Sequence, residues 1–436
     1  MSDKTKRFQD LYERGIEALA RGQDEEGSRL MYEAAKLAPE GWLQIAIQLV
    51  KDGKEDIAEP RFREVLALTK DPLLRCAASN NLGMIYANRG QNALAFGLFD
   101  EAAKMWPSIP DSHSNKALMK LHGADFNEAL RYANRALELD PWHEQAQFIR
   151  AMTLLQSGDY ERGFKEYECR WRSKNNGLAK LPACVPEWTG NNGRNLYVYG
   201  EQGHGDSILM LRYAPIIRAQ GVRLTWVAQK CLAHIAAPLV DSVAVVGDEI
   251  PDFDCHIPAV SLPRVMGTTI ATIPPAPYIK AESPVEYGEG FHVGIAWRGS
   301  KVQGNDKFRS TSLKDWRAVF EVPGVTFHSL QVENDDEAKD FPHIVRGDKP
   351  RDFLETANRV AGLDLIISVD TSLVHLAGAM GKPCWCALHC RPYFVYPQAH
   401  GDSTPWYPSV RLFRQESELD WQPVFNRIAD ELWKLV

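Results

Sequence analysis

No apolar run in this chain approaches the roughly 20 residues that cross a bilayer, so a helical membrane protein is excluded. The first residues, Met1-Ser-Asp-Lys-Thr-Lys-Arg7, are polar. They lack the apolar core of a secretory signal, and none is expected. Cysteine is sparse. The eight present are scattered without paired spacing, which fits a reducing compartment and predicts a cytoplasmic protein. A dominant charge sign is also missing: 57 acidic against 50 basic residues leave a net −7. That balance does not predict binding to a nucleic-acid backbone, although a local basic groove is compatible with it. The remaining composition is ordinary, 44% hydrophobic and 25% charged over 436 residues. Such a length predicts two or three domains with sizeable cores.

What the sequence does have is a repeat. Pro39, Pro72, Pro107 and Pro141 are 33, 35 and 34 residues apart. A turn precedes each of them: Arg21-Gly22-Gln23, Asp52-Gly53-Lys54, Arg89-Gly90-Gln91 and Gly123-Ala-Asp125. A fifth unit starts near Glu144 and carries Ser157-Gly158-Asp159-Tyr160. A fixed period of this length marks a stacked repeat architecture. The pattern resembles the tetratricopeptide repeat. Gly83, Tyr86, Gly90, Ala95, Ala102 and Pro107 stand at that family's signature offsets, and Ala117, Ala129, Ala136 and Pro141 repeat part of the set. The second unit departs from it, lacking the small residue in its second helix. Small residues let the two helices of a unit approach closely, and each Pro is expected to end the second helix. No unit buries its face alone, so stacking is expected to give a right-handed array with a concave surface. Asn80, Asn81 and Asn115 are placed on that surface. Such an array binds partner proteins, dimerises or braces a neighbouring domain, and the residues leave these open.

Past the array, Phe164, Tyr167 and Trp171 recur at i, i+3 and i+7, which predicts a helix docked on something apolar. Lys174 to Arg194 reads as loop, and Trp171 and Trp188 as interface packing. Strand-like and helical runs then alternate, which indicates a parallel sheet. Asn195–Tyr199, Val222–Val227, Ser242–Val246 and Cys255–Pro258 are the strands of a first set. After the Pro-rich stretch at Ile273–Pro277, the pattern restarts with His292–Trp297, Val325–Gln331, Leu365–Val369 and Cys384–Leu388. The fold expected is an α-helical tetratricopeptide-repeat array followed by an α/β domain of two Rossmann-like units facing a cleft. The expected boundaries are 1–172 for an array of four to five repeats, 173–194 for a linker, 195–284 for the first α/β unit and 285–436 for the second.

The most informative stretch is Asp364-Leu-Ile-Ile-Ser-Val-Asp370-Thr371-Ser372-Leu-Val-His375-Leu-Ala-Gly-Ala-Met-Gly381-Lys-Pro383. It reads as strand, polar turn, helix, with Gly381 ending the helix. Such a turn aims backbone N–H groups and the positive end of a helix dipole at one point, which suits a phosphate. An ordinary crossover, in which Asp and Thr only cap the helix, has the same sequence.

Three motifs together resemble the heptosyltransferase-like glycosyltransferases (glycosyltransferase family 9, of GT-B fold), in a bacterial branch with N-terminal tetratricopeptide repeats. They are Gly203-His-Gly205-Asp206 with Arg212-Tyr-Ala-Pro215; Gly294-Ile-Ala-Trp297-Arg298-Gly299 with Asn305-Asp-Lys307-Phe-Arg309; and Asp370-Thr371-Ser372 with His375 and Gly381-Lys-Pro383. The array in front is similar to the layout of O-linked N-acetylglucosamine transferase, in architecture alone. The resemblance implies transfer of a hexosyl or heptosyl group from a nucleotide-diphosphate sugar to a hydroxyl acceptor. Asp206 stands at the position of the family's base, with its Gly203 and Gly205 loop. Inversion at the anomeric carbon follows if that base acts alone. Thr371, Ser372, Lys307 and Arg309 are implied donor-phosphate contacts, with Arg298 and His375 as further ones, Asp370 positioning the turn and Gln331 touching the nucleotide. No cofactor or metal is expected, because the helix dipole and basic side chains replace a divalent ion.

The expected partners are a nucleotide sugar (ADP-, UDP- or GDP-linked) and an acceptor, with a protein recruited by the array as one option. Nucleic acid is not favoured, and homo-oligomers are left open. Two other readings stay beside this one: a non-catalytic interaction protein with a relic α/β domain, and a transferase acting on nucleic acid or a surface glycan. Cys384, Cys386, His389 and Cys390 have metal-ligand residue types, but C-x-C on a strand does not close a tetrahedral site. Buried thiols are the expected reading.

Overall fold

A computed structural model describes residues 3–21, 23–172, 185–201, 203–249, 251–300, 306–333 and 335–436. The turn at Gly22, the 173–184 part of the linker and Asn305 lie outside the described residues. Two compact units divide at Thr153/Leu154, inside a helix and earlier than the expected 172. Within the described residues no helix is long and apolar enough to cross a membrane.

The first unit is a stack of antiparallel helix pairs: α1 (Asp3–Ala20) with α2 (Asp24–Leu37), α3 (Pro39–Lys51) with α4 (Glu55–Leu68), α5 (Pro72–Asn88) with α6 (Asn92–Met105), and α7 (Pro110–His122) with α8 (Phe126–Leu139). In each second helix the fourth and eleventh residues are buried: Gly27 and Ala34, Ala58 and Val65, Ala95 and Ala102, Ala129 and Ala136. The second repeat is therefore less degenerate than expected. It keeps a small residue at Ala58 and loses one only at Val65. Gly83 of α5 has no room for a Cβ beside the Phe99 ring. The prolines act differently from the expectation. Pro39 and Pro72 are the first residues of α3 and α5, where a missing N–H costs nothing, while Pro107 and Pro141 follow α6 and α8. The turn residues Gly53, Gly90 and Gly158 have φ of 73°, 73° and 88°, and Ala124 takes φ 58° at the same place in the fourth turn.

Asn80 and Asn115 are buried rather than presented to a ligand. Asn80 donates to the Ser112 hydroxyl at 2.9 Å, Asn115 to Asn80 at 3.4 Å, and Gln145 to Asn115 at 3.3 Å. Asn81 donates to the Ala77 carbonyl. The Asn80, Asn115 and Gln145 amides form an internal ladder between successive repeats.

Helix α9 (Glu144–Gln156) crosses the division, and α10 (Tyr160–Glu166) with the 3-10 turn Tyr167–Trp171 belongs to the second unit. Repeat register persists here, since Gly163 is the fourth residue of α10 and its Cα faces Leu155. The eleventh position, however, is Arg170, whose side chain is 3% exposed and pairs with the 1% exposed Glu201 at 2.9 Å. The docking expected of the aromatics is observed. Phe164 packs edge-on against Phe394 and Trp406, Tyr167 lies against Phe394, and Trp171 joins Tyr197, Tyr199 and Val227. Trp188 is fully buried.

The second unit contains two parallel sheets. In the first, β1 (Asn195–Tyr199), β2 (Arg223–Ala228), β3 (Ser242–Val245) and β4 (Cys255–Pro258) lie in the order β3-β2-β1-β4. In the second, β5 (Phe291–Ala296), β6 (Val325–Ser329), β7 (Ile344–Arg346), β8 (Leu365–Val369), β9 (Cys384–Leu388) and β10 (Val410–Arg414) lie in the order β10-β9-β8-β5-β6-β7. Both sheets reverse direction of strand order once, beside β1 and between β5 and β8. At such points the loops leave in opposite directions and open a crevice at the C-terminal strand ends. Central strands are covered on both faces, as their apolar sequences require. Ile295, Ile367 and Val369 pack on Trp316, Trp385 and Phe425.

Candidate functional site

The turns that follow β1 and β8 meet. After β1 the chain runs through Glu201 into the helix His204–Met210, capped by Gly203. After β8 it runs through Asp370 into the helix Ser372–Ala379, capped by Thr371. The two helices pack together at their starts. A Cβ on Gly205 would stand 2.7 Å from the His375 ring, so the close approach requires glycine there.

Asp206 sits in the first turn of its helix, half-buried, and accepts from the Gly203 N–H at 3.2 Å. It thus caps the helix and also faces the opposite turn. Burial pushes its carboxyl up to about 7, the Gly203 amide opposes this, and the Glu201 and Asp370 carboxylates add to the rise. Glu201 is held by Arg170 and by the Val260 N–H at 3.0 Å, and burial raises its carboxyl against the pull of Arg170. Arg170 also donates to Ser261 at 2.7 Å. This buried ion pair fixes the start of the Gly203 turn.

Asp370 is 9% exposed. Burial pushes its carboxyl up, but His389, His375 and Arg309 outweigh that and hold it below the ordinary aspartate value. Thr371 uses its hydroxyl within the fold, accepting from the Leu373 N–H at 3.3 Å and lying 3.0 Å from the Ser368 hydroxyl. The Leu373 amide is therefore spent on the cap. Ser372, half-buried at the first position of the helix, makes no side-chain hydrogen bond. His375 is buried and lies 3.1 Å from the Tyr407 hydroxyl through Nδ1. Burial lowers it to about 4 despite the nearby Asp370, so the ring is neutral at neutral pH.

Of the three basic residues, Arg309 and Arg298 are engaged within the protein. The 306–309 segment is a short helix rather than a loop, with Lys307 exposed. Arg309 donates to the Asp370 carbonyl at 3.2 Å and pairs with Asp306 at 3.4 Å, so it braces the turn. Arg298 is paired with Glu337 at 3.1 Å. Gln331 is engaged within the protein. Its Oε1 accepts from the Trp297 and Arg298 amides at 3.1 and 3.0 Å, and its Nε2 donates to the Arg298 and Glu333 carbonyls. The amide clamps the loop after β5. The chain's one Asp-x-Asp stretch, Asp252-Phe-Asp254, lies at the opposite, N-terminal end of its sheet, where Asp254 accepts from the Arg194 and Asn195 amides. Cys384 and Cys386 are buried within β9, and Cys390 donates to the Gln415 carbonyl. No group of three or more metal-ligating side chains is found among the described residues.

Sequence reasoning passed over several residues that shape the site. Arg170 breaks the small-residue rule of the repeat register, and that break was the available signal. Arg212 lies in a quoted motif, yet its 2% exposed guanidinium donates to the Leu209, Pro274 and Trp406 carbonyls at 3.0 Å each, tying the first helix to the second sheet's region. Beside the His204–Met210 helix, His204 lies edge-on against Phe353, and His234 lies 2.6 Å from Asp352.

No family model matches the chain. In an alignment of 403 residues that covers 81% of this chain and 66% of the other protein, it is 25% identical to Protein FlbA of Caulobacter vibrioides. Among solved structures it is similar to MamA 41-end from Desulfovibrio magneticus RS-1 (22% identity, 40% of this chain and 99% of that one, TM-score 0.30). It is also similar to PilF of Pseudomonas aeruginosa (16% identity, 50% and 88%, TM-score 0.32).

Proposed function

We propose that the chain is a glycosyltransferase of GT-B type, metal-independent and inverting, carrying a helical repeat array as its interaction module. One observation supports this reading above others. The turns at the strand-order reversals of two parallel sheets converge, and they bring a raised carboxyl, Asp206, against the turn of Asp370 and the start of the Ser372 helix. Carboxyls poised near neutral pH suit general-base work. In the proposed step the acceptor oxygen attacks the anomeric carbon and its proton passes to Asp206. The bond from that carbon to the diphosphate oxygen breaks, and the diphosphate leaves with the electron pair. Ser372, its backbone N–H and Lys307 are the groups open to receive it, with the dipole of the eight-residue Ser372 helix behind them. Arg309, through the Asp370 carbonyl, positions this turn. The acceptor recruited by the array is proposed to be a protein.

A second reading rests on a specific observation. Arg298 and Arg309 are already bonded within the protein, and Gln331 is fully used. The turn is rich in carboxylates for a diphosphate site, as a non-catalytic interaction protein with a relic α/β domain would show. A thermal-shift panel of nucleoside diphosphates and nucleotide sugars separates the two. A ligand at one hundred times its Kd stabilises the native state by about 2.7 kcal/mol. Ser372→Ala with Lys307→Ala is the informative variant, because neither side chain supports the fold as Thr371 does. The transferase reading expects one diphosphate nucleotide to raise the Tm of the wild type and not of this variant. No shift with any nucleotide at millimolar concentration overturns it and leaves the interaction reading.

A further inference from the structure

His389 follows β9 directly. In the parallel register Ser368 pairs with Cys386 and Val369 with Ala387, so Asp370, the residue after β8, comes level with the end of β9. His389 is 2% exposed. Its Nδ1 accepts from the Arg391 backbone N–H at 3.2 Å, which leaves the ring proton on Nε2. That Nε2 has no hydrogen-bond partner, and it lies 3.8 Å from Asp370 Oδ2. The side chain that shares metal-ligand type with Cys384 and Cys386 thus lies beside the Asp370 carboxylate.

We propose that His389 is a positioning residue: it keeps Asp370 as the charged carboxylate of the pair and thereby makes Asp206 the carboxyl that carries the exchangeable proton. Two carboxyls that interact resist ionising together, and the one with the better donors ionises first. The groups facing Asp370 are His389, the neutral His375, Arg309, the Cys386 thiol and the Tyr396 phenol. Asp206 faces Glu201, already paired with Arg170, and Asp370 and the Tyr393 phenol. Arg309 bonds to the Asp370 backbone carbonyl, and His375 turns its Nδ1 to Tyr407. His389 is therefore the side chain whose N–H is aimed at the Asp370 carboxylate. The inference deepens the reading of Asp206 as base, but protonation is measured without any substrate, so the two can fail separately.

The test follows aspartate carboxyl carbons by NMR in full-length protein labelled at that carbon, with Asp206→Asn and Asp370→Asn assigning the two signals. In His389→Leu the Asp206 midpoint is expected to fall by about one pH unit and the Asp370 midpoint to rise, because an opposing donor has been lost. His389→Gln, which keeps an N–H, is expected to restore most of both. Unchanged midpoints in a folded His389→Leu protein overturn the proposal. Should that variant not fold, the 15N shifts of His389 in the wild type decide. A ring that carries its single proton on Nε2 upholds it, and one that carries it on Nδ1 overturns it.

Discussion

Asp206 and His375 are neighbours across the packed helix starts, and their titrations act on stability with opposite sign. The Asp206 carboxyl is raised to about 7, so the folded state binds a proton that the unfolded chain has released above about pH 4. Stability from this group is present below pH 4 and is lost as pH rises towards 7. His375, lowered to about 4, does the reverse. The unfolded chain takes up a proton below about pH 6.5, so its contribution is present above that value and lost as pH falls towards 4. Opposed slopes hide each other in the wild type between pH 4 and 6.5. Asp206→Asn keeps an oxygen for the Gly203 amide and removes only the carboxyl term. It is expected to be more stable than the wild type at pH 8, by roughly 1–2 kcal/mol for this half-buried group, with the difference gone by about pH 4. Urea midpoints at both pH values measure it. A variant less stable at pH 8 would mean that the carboxylate is stabilised by a contact other than the cap.

Elements are where sequence and structure can be compared most closely. Strands β1, β4, β8 and β9 have the bounds their apolar runs predict, because a parallel strand buried on both faces is apolar throughout. β7 is three residues long, of which two are exposed, and gave no such signal. The strand-turn-helix at 364–383 was legible because capping and stop residues act locally. What Gln331, Arg298 and Arg309 do was not, since their partners are brought near only by the sheet's crossovers. Within the array, the period located the described turns at Gly53, Gly90 and Gly123, but not which turn residue takes positive φ. Gly123 precedes the left-handed position, and Ala124 occupies it. Because a Cβ is disfavoured there, Ala124→Gly is expected to stabilise the first unit by about 1 kcal/mol. The Arg170–Glu201 pair joins α10's continuation to the loop after β1. Arg170→Ala leaves a buried carboxylate without its cation and is expected to cost about 3–5 kcal/mol. Arg170→Met with Glu201→Gln is expected to cost much less, and a double-mutant cycle by chemical denaturation reads the difference.

For the whole molecule, two compact units imply two cores of different kind. One is an alanine-lined stack in which each helix pair leans on its neighbours, with Phe62 and Phe99 fully buried. The other gathers aromatic and β-branched residues about parallel strands, with Trp297, Trp316 and Phe425 fully buried. Stacked repeats gain stability from nearest-neighbour interfaces, whereas a parallel sheet closes only when distant strands pair. A single two-state transition is therefore not expected of the chain. Phe99→Ala removes a ring from the array core and is expected to cost about 3–5 kcal/mol there. In calorimetry it should lower one transition and leave the other in place. A nucleotide that binds the α/β unit should do the converse, raising the transition that Phe99→Ala leaves untouched. If both perturbations move the same single transition, the two units unfold as one, and a ligand of the α/β unit would then be thermodynamically linked to the array's own stability.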